Sequence, residues 1–115
     1  MSNFSIEIRE DRNIKILNLS GYLDAHNSNE LEDQLKELID AGFTRIVVNF
    51  SNLNYIASAG LGVFMAYIED VREQSGDIKL CEMTDKVYTV FDLLGFPVLY
   101  DITRSELEAI EKFKV

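Results

Sequence analysis

Three side chains of this sequence could be drawn together as a nucleophile with its base: Ser58, His26 and Asp24. A serine hydroxyl attacks well only when a histidine takes its proton and a carboxylate orients that histidine. Asp24 and His26 share one short segment, which makes the trio worth testing. The residues around the serine, Ile56-Ala57-Ser58-Ala59-Gly60-Leu61-Gly62, lack the G-x-S-x-G turn that presents a hydrolase serine beside its oxyanion hole. One cysteine, Cys81, and one histidine cannot supply a Cys/His zinc site, and a lone cysteine forms no disulfide within the chain, which fits a reducing compartment. Neither G-x-x-x-x-G-K-[ST] nor G-x-G-x-x-G occurs, so no nucleotide loop and no cofactor are expected.

Ser58 reads better as a hydroxyl to be recognised or modified. It lies at or near the N-cap of a predicted helix, where its side chain either faces solvent or accepts an N–H of the first turn. Gly60 and Gly62 follow inside that helix, and each costs up to about 1 kcal/mol relative to alanine. Two explanations stand open: bare backbone lets a partner approach closely, or it lets the helix lie tight against a sheet.

The elements that must hold this segment can be followed along the chain. Phe4, Ile6 and Ile8 alternate with Ser5, Glu7 and Arg9; Asp11-Arg12-Asn13 makes a turn; Ile14, Ile16, Leu17 and Leu19 form a second strand, giving an opening hairpin. After Gly21, Asn27 with Glu30 predicts a capping box for a helix through Leu31, Leu35, Leu38 and Ile39, ending at Gly42. Arg45 to Phe50 is a β-branched run suited to the centre of a parallel sheet. Ser51 to Ala57 reads as a loop, and Leu61, Phe64, Met65, Ile68 and Val71 as the buried face of the next helix, which stops near Gly76. Ile78 to Glu82 follows as a strand. Thr84 caps a helix through Val87, Val90, Phe91 and Leu94, and Pro97 to Tyr100 reads as a short edge strand. Thr103 with Glu106 predicts a second capping box, before Leu107, Ile110 and Phe113. Cys81, Met65 and Met83 are expected in the core; Tyr22 and Tyr55 are either interface aromatics or ordinary loop residues.

The order ββαβαβαβα predicts an α/β fold with a mixed, mostly parallel sheet, an antiparallel N-terminal hairpin and helices packed against it. At 115 residues one domain spanning 1–115 is expected, with 47% hydrophobic residues and no low-complexity linker. Ligands of such sheets gather beyond the carboxyl ends of the strands, so Gly21 to Asn27 and Ser51 to Ser58 are the loops to watch. Twenty acidic against eleven basic side chains give a net charge of −9, a field that repels nucleic acid and anionic lipid. The start MSNFSIEIREDRN has no basic segment followed by an apolar stretch, and no later run is long enough for a membrane span. A cytoplasmic protein without membrane contact is expected.

The chain as a whole, over roughly residues 4 to 113, resembles the STAS family, named for sulfate transporters and anti-sigma-factor antagonists, and specifically its free-standing bacterial antagonists. Three ordered segments carry the likeness: Ile16-Leu17-Asn18-Leu19-Ser20-Gly21-Tyr22-Leu23-Asp24, Val48-Asn49-Phe50 followed by Ser58-Ala59-Gly60-Leu61-Gly62, and Phe91-Asp92-Leu93-Leu94-Gly95.

The resemblance implies a non-enzymatic switch. Ser58 falls on the serine that a cognate anti-sigma factor, itself a GHKL-type serine kinase, phosphorylates with ATP. The unmodified antagonist holds that kinase and frees sigma, the phosphorylated form lets go, and a serine phosphatase resets it. Asp24 matches an aspartate beside the phosphorylation loop, and Asn27, Ala57, Ala59, Gly60 and Leu61 fall on the implied docking surface. Family members commonly carry aspartate just before the phosphoserine and a second Ser or Thr after it, where this chain has Ala57 and Ala59. Ala57 therefore also keeps open a STAS module acting as a constitutive scaffold, or as a subunit of a stressosome-like or lipid-transporter-associated assembly.

Overall fold

The computed structural model describes residues 3–113. Five strands form one sheet in the spatial order β1-β2-β3-β4-β5, from β1 (Phe4–Asp11) and β2 (Ile14–Leu23) through β3 (Arg45–Ile56) and β4 (Asp77–Cys81) to β5 (Ile102–Thr103). β1 and β2 pair antiparallel and every other neighbouring pair is parallel, as the element order predicts. The hairpin closes on Arg12 and Asn13 alone, both at positive φ (49° and 70°), the two-residue turn whose twist suits paired strands.

The helices α1 (Ser28–Asp40), α2 (Ser58–Glu73), α3 (Asp85–Leu93), α4 (Phe96–Leu99) and α5 (Glu106–Glu111) divide unequally over the sheet. The larger core includes Leu17, Leu19, Val48, Leu31, Phe64 and Phe91. Phe91 is its hub, packing edge-on against Phe50 and Phe96 at ring separations of 5.4 and 4.9 Å, a favoured aromatic geometry. On the opposite face α5 lays Ala109 and Ile110 over Ile14, Ile16, Val47 and Cys81. Cys81 is the small buried hydrophobe expected of it, and burial pushes its thiol up to about 12.

Several expectations need correction. Ser51 to Ile56 is strand, because the far half of β2 offers its backbone a parallel partner through Leu23↔Ile56; Ser51, Asn52 and Asn54 simply face water. Pro97 to Tyr100 is not a strand. Pro97 lies in the first turn of α4, where its missing N–H costs nothing, and the edge strand is Ile102–Thr103. The last helix is capped by Ser105, whose Oγ accepts from Glu108 N at 3.1 Å, since Thr103 Oγ1 donates to Ser105 O instead. Asn27 precedes α1 but makes no side-chain cap. Met65 and Leu107, expected inside, are 57% and 60% exposed.

Glu106 is free of the capping role because it holds α5 to the sheet. Arg9 donates through Nη1 to Glu106 Oε2 at 3.2 Å, and Asn49 Nδ2 donates to Glu106 Oε1 at 3.0 Å. The hydrogen bond from Arg9 holds the Glu106 carboxyl below the ordinary glutamate range against the opposing effect of burial, with Asn49 adding to the lowering. A carboxyl with a depressed folded pKa contributes stability that is complete above its unfolded pKa and is lost as pH falls through the folded one. Glu106→Gln should therefore be less stable than wild type at neutral pH, and urea unfolding should show the gap closing as pH falls below the ordinary glutamate range.

Candidate functional site

Neighbouring parallel strands β2 and β3 both deliver their carboxyl ends to one edge of the sheet, and each is followed by a helix on the same face. Ala57 N donates to Leu23 O at 2.9 Å. Because Asp24 follows Leu23 and Ser58 follows Ala57, this bond sets the two sequence-predicted residues beside each other.

Asp24 opens a self-closed turn. Its backbone N–H donates to Asn27 Oδ1 at 2.9 Å, its Oδ1 accepts from His26 N at 2.9 Å, and its carbonyl accepts from Ser28 N at 2.9 Å. Asn27 is buried and its Nδ2 donates to Tyr22 O at 2.8 Å, so it ties the turn to β2 instead of capping α1. Buried there, it supports the site from beneath and contributes little surface.

Ser58 is the first residue of α2, with Ala57 at the N-cap in extended backbone (φ −99°, ψ 169°). The serine is exposed, as expected, and no side chain caps the helix. Ala57 O takes up Gly60 N at 3.0 Å and Leu61 N at 3.3 Å. The N–H groups ahead of them belong to the set an α-helix leaves without an internal acceptor, and alanine at the N-cap supplies none. Ser58 thus stands at a helix start with no side-chain cap and no acidic residue in its own first turn.

The two glycines separate cleanly. A Cβ at Gly60 would lie 2.8 Å from Leu23 Cδ2 and 3.1 Å from Ile56 Cγ1, whereas a Cβ at Gly62 would meet nothing within 4 Å. Gly60 lets α2 settle on the ends of β2 and β3. Gly62 answers no packing need. Gly60 and Leu61, expected on a docking surface, are buried, and Ser58, Ala59 and Gly62 are the residues of this turn that solvent reaches. Ala59 and Gly62 line a groove of about 190 Å³ between α1 and α2, with Ser28, Asn29, Glu32 and Val63. The sequence reading left out Ser28, Asn29 and Glu32; their place on the first two turns of a neighbouring helix is the only signal that could have found them.

His26 is exposed, and its backbone N–H binds Asp24 while no hydrogen bond links it to Ser58 among the described residues. Those residues also include no cluster of three or more His, Cys, Asp or Glu able to hold a metal ion, and no helix is long and apolar enough to cross a membrane.

A mostly parallel sheet, antiparallel at its first pair and presenting a bare helix start at its carboxyl edge, defines the class of module. Residues 5–109 match the model of the STAS domain, and the chain belongs to that family. It is 33% identical over 96 residues to BtrV of Bordetella bronchiseptica, covering 84% of this chain and 83% of that protein. To the anti-sigma F factor antagonist of Paenibacillus polymyxa it is 29% identical over 114 residues, 98% of this chain and 97% of that one. Its fold superposes on the anti-sigma factor antagonist SpoIIAA in its unphosphorylated form with a TM-score of 0.83 at 23% identity, covering 96% of each chain. On the phosphorylated form of SpoIIAA from Bacillus the TM-score is 0.74 at 22% identity, over 95% of this chain and 99% of that one. Domains of this family and its antagonist branch are regulatory and non-catalytic, which leaves the triad of Ser58, His26 and Asp24 without a role.

The glycine geometry sets opposite signs for two similar substitutions. Gly60→Ala should destabilise by about 1–2 kcal/mol, overpacking against Leu23 outweighing the gain in helix propensity. Gly62→Ala should stabilise by up to about 1 kcal/mol. Urea unfolding of both variants reads the difference.

Proposed function

We propose that this protein is an anti-sigma-factor antagonist that works by partner switching: unmodified, it binds an anti-sigma factor that is a GHKL-type serine kinase; phosphorylated on Ser58, it releases that partner; a serine phosphatase restores it. The observation that carries this reading is the exposed Ser58 hydroxyl at the bare start of α2. Support comes from the relatives named as antagonists, among them the anti-sigma-B factor antagonist of Bacillus subtilis, 26% identical over 101 residues.

The physics of release is local. A phosphoryl group brings about −1.5 to −2 charges to one point, where Ala59 and Gly62 otherwise leave room for close contact. The same group meets N–H donors of the first turn, worth about 0.3–1 kcal/mol for a charge at a helix start. The domain therefore carries the modification without unfolding, and the partner loses its seat. Ala57 adds nothing to compete for those donors. Asp24, joined to the Ser58 segment through Leu23 and Ala57, borders the same surface and would be read by the partner with it.

The same alanine also supports a second reading, a constitutive STAS scaffold or assembly subunit unmodified at Ser58. Pull-downs from native cell extract with wild type, Ser58→Ala and Ser58→Glu, with mass spectrometry of the wild-type peptide that carries Ser58, decide between the two. The switch requires a phosphoryl group on Ser58, a kinase retained by the alanine variant and its loss by the glutamate variant. Identical partners for all three, with no modification, would leave the scaffold. Gly62→Ala should bind the kinase about tenfold or more weakly while being the more stable protein, as titration calorimetry and unfolding would show.

A further inference from the structure

Two register shifts interrupt the pairing of β2 with β3, one between Asn18 and Ser20 and one between Gly21 and Tyr22. An extra residue in a strand bends it and re-aims the side chains beyond it. Past the second shift Tyr22 stands opposite Tyr55, and Leu23 opposite Ile56. Leu23 and Ile56 are buried toward α2, where both approach Gly60. Alternation along the strands turns the two tyrosines to the other face. There α5 covers Ile14, Ile16, Val47 and Cys81, further back along the strands. Tyr22 and Tyr55 are left 49% and 43% exposed, their rings 6.1 Å apart and tilted by 35°.

The ledge they form is held in place before anything binds. Tyr22 N donates to Asn3 O at 2.9 Å and Tyr22 O accepts from Asn27 Nδ2 at 2.8 Å. Gly21, at φ +93°, is required beneath, because a Cβ there would lie 1.8 Å from Asn3 O. A fixed aromatic surface loses little freedom on association, and tyrosine is among the residues that dominate interfaces. Its chemistry points to a cation. The rings present negative faces, and the chain carries a net charge of −9. Among the described residues its own cations lie over Phe43, Tyr100 and Phe113, and none over Tyr22 or Tyr55.

We propose that Tyr22 and Tyr55 are a second part of the docking surface, receiving an arginine or lysine side chain of the partner that contacts Ser58, so that this partner grips the carboxyl edge of the sheet from both faces. This rests on the partner-binding reading of Ser58, from which Tyr55 is three residues distant along the chain. The partner kinase retained by Ser58→Ala, once purified, is the probe. Its affinity is measured by titration calorimetry for wild type, the double variants Tyr22→Ala with Tyr55→Ala and Tyr22→Phe with Tyr55→Phe, and Ser58→Glu, with thermal unfolding of each as the folding control. The double alanine variant should lose about tenfold or more in affinity with an unchanged melting temperature, and the double phenylalanine variant should bind within about threefold of wild type. If double alanine binds like wild type while Ser58→Glu does not, the ledge plays no part and the switch reading stands. If double phenylalanine loses as much as double alanine, the hydroxyls and not the ring faces are being read, which overturns the cation assignment. If Ser58→Glu binds like wild type, the switch reading falls and the proposal with it.

Discussion

The parallel pairing of β2 with β3, carried past Phe50 to Ile56, is the constraint on which the site depends. Its last backbone bond, from Ala57 N to Leu23 O, fixes the starts of two successive loops to one another. Without those extra residues of strand, Ser58 would hang from a seven-residue loop, Ser51 to Ala57, and its distance from Asp24 would vary. With them, the loop shrinks to Ala57 and the hydroxyl sits on a helix whose opposite side is anchored by Leu61 and Phe64 in the core. A modification read by another protein gains from such rigidity, since little ordering remains to be done on binding.

The bare backbone of α2 divides into a structural and a surface part within three residues. Gly60 faces Leu23 and Ile56 and allows the helix to approach the sheet; Gly62, half a turn further, faces open space. The helix accepts the conformational cost of both, but only the first is repaid inside the molecule. A glycine that faces open space costs the helix stability without serving any contact within the molecule.

The two faces of the sheet are held differently. On the α1 and α2 face burial is apolar and extensive. On the other, the short α5 covers only part of the sheet and is fastened by Arg9 and Asn49 through Glu106. That leaves the carboxyl half of this face open, with Tyr22 and Tyr55 displayed on it. The smallness of α5 and the exposure of the ledge are one fact seen from two sides.

Periodicity alone determined much of this protein. The β-branched run at Arg45 to Phe50, the apolar stripe of α1, that of α2 apart from the exposed Met65, and the Thr84 cap depend on neighbours close in sequence, and these appear as read. The placement of Ser58 at a helix start and its exposure were legible for the same reason. What needed the tertiary structure were matters settled by distant partners. Ser51 to Ile56 carries polar residues that suggest a loop, and only β2 makes it strand. Glu106 looks like the acid of a capping box until Arg9, remote in sequence, claims its carboxylate. Asn27 looks like a cap until Tyr22 O and Asp24 N take both ends of its amide. Gly60 and Gly62 are identical in sequence terms, and only the side chains of Leu23 and Ile56, brought in from β2 and β3, decide which of them the fold requires and which it leaves to the surface.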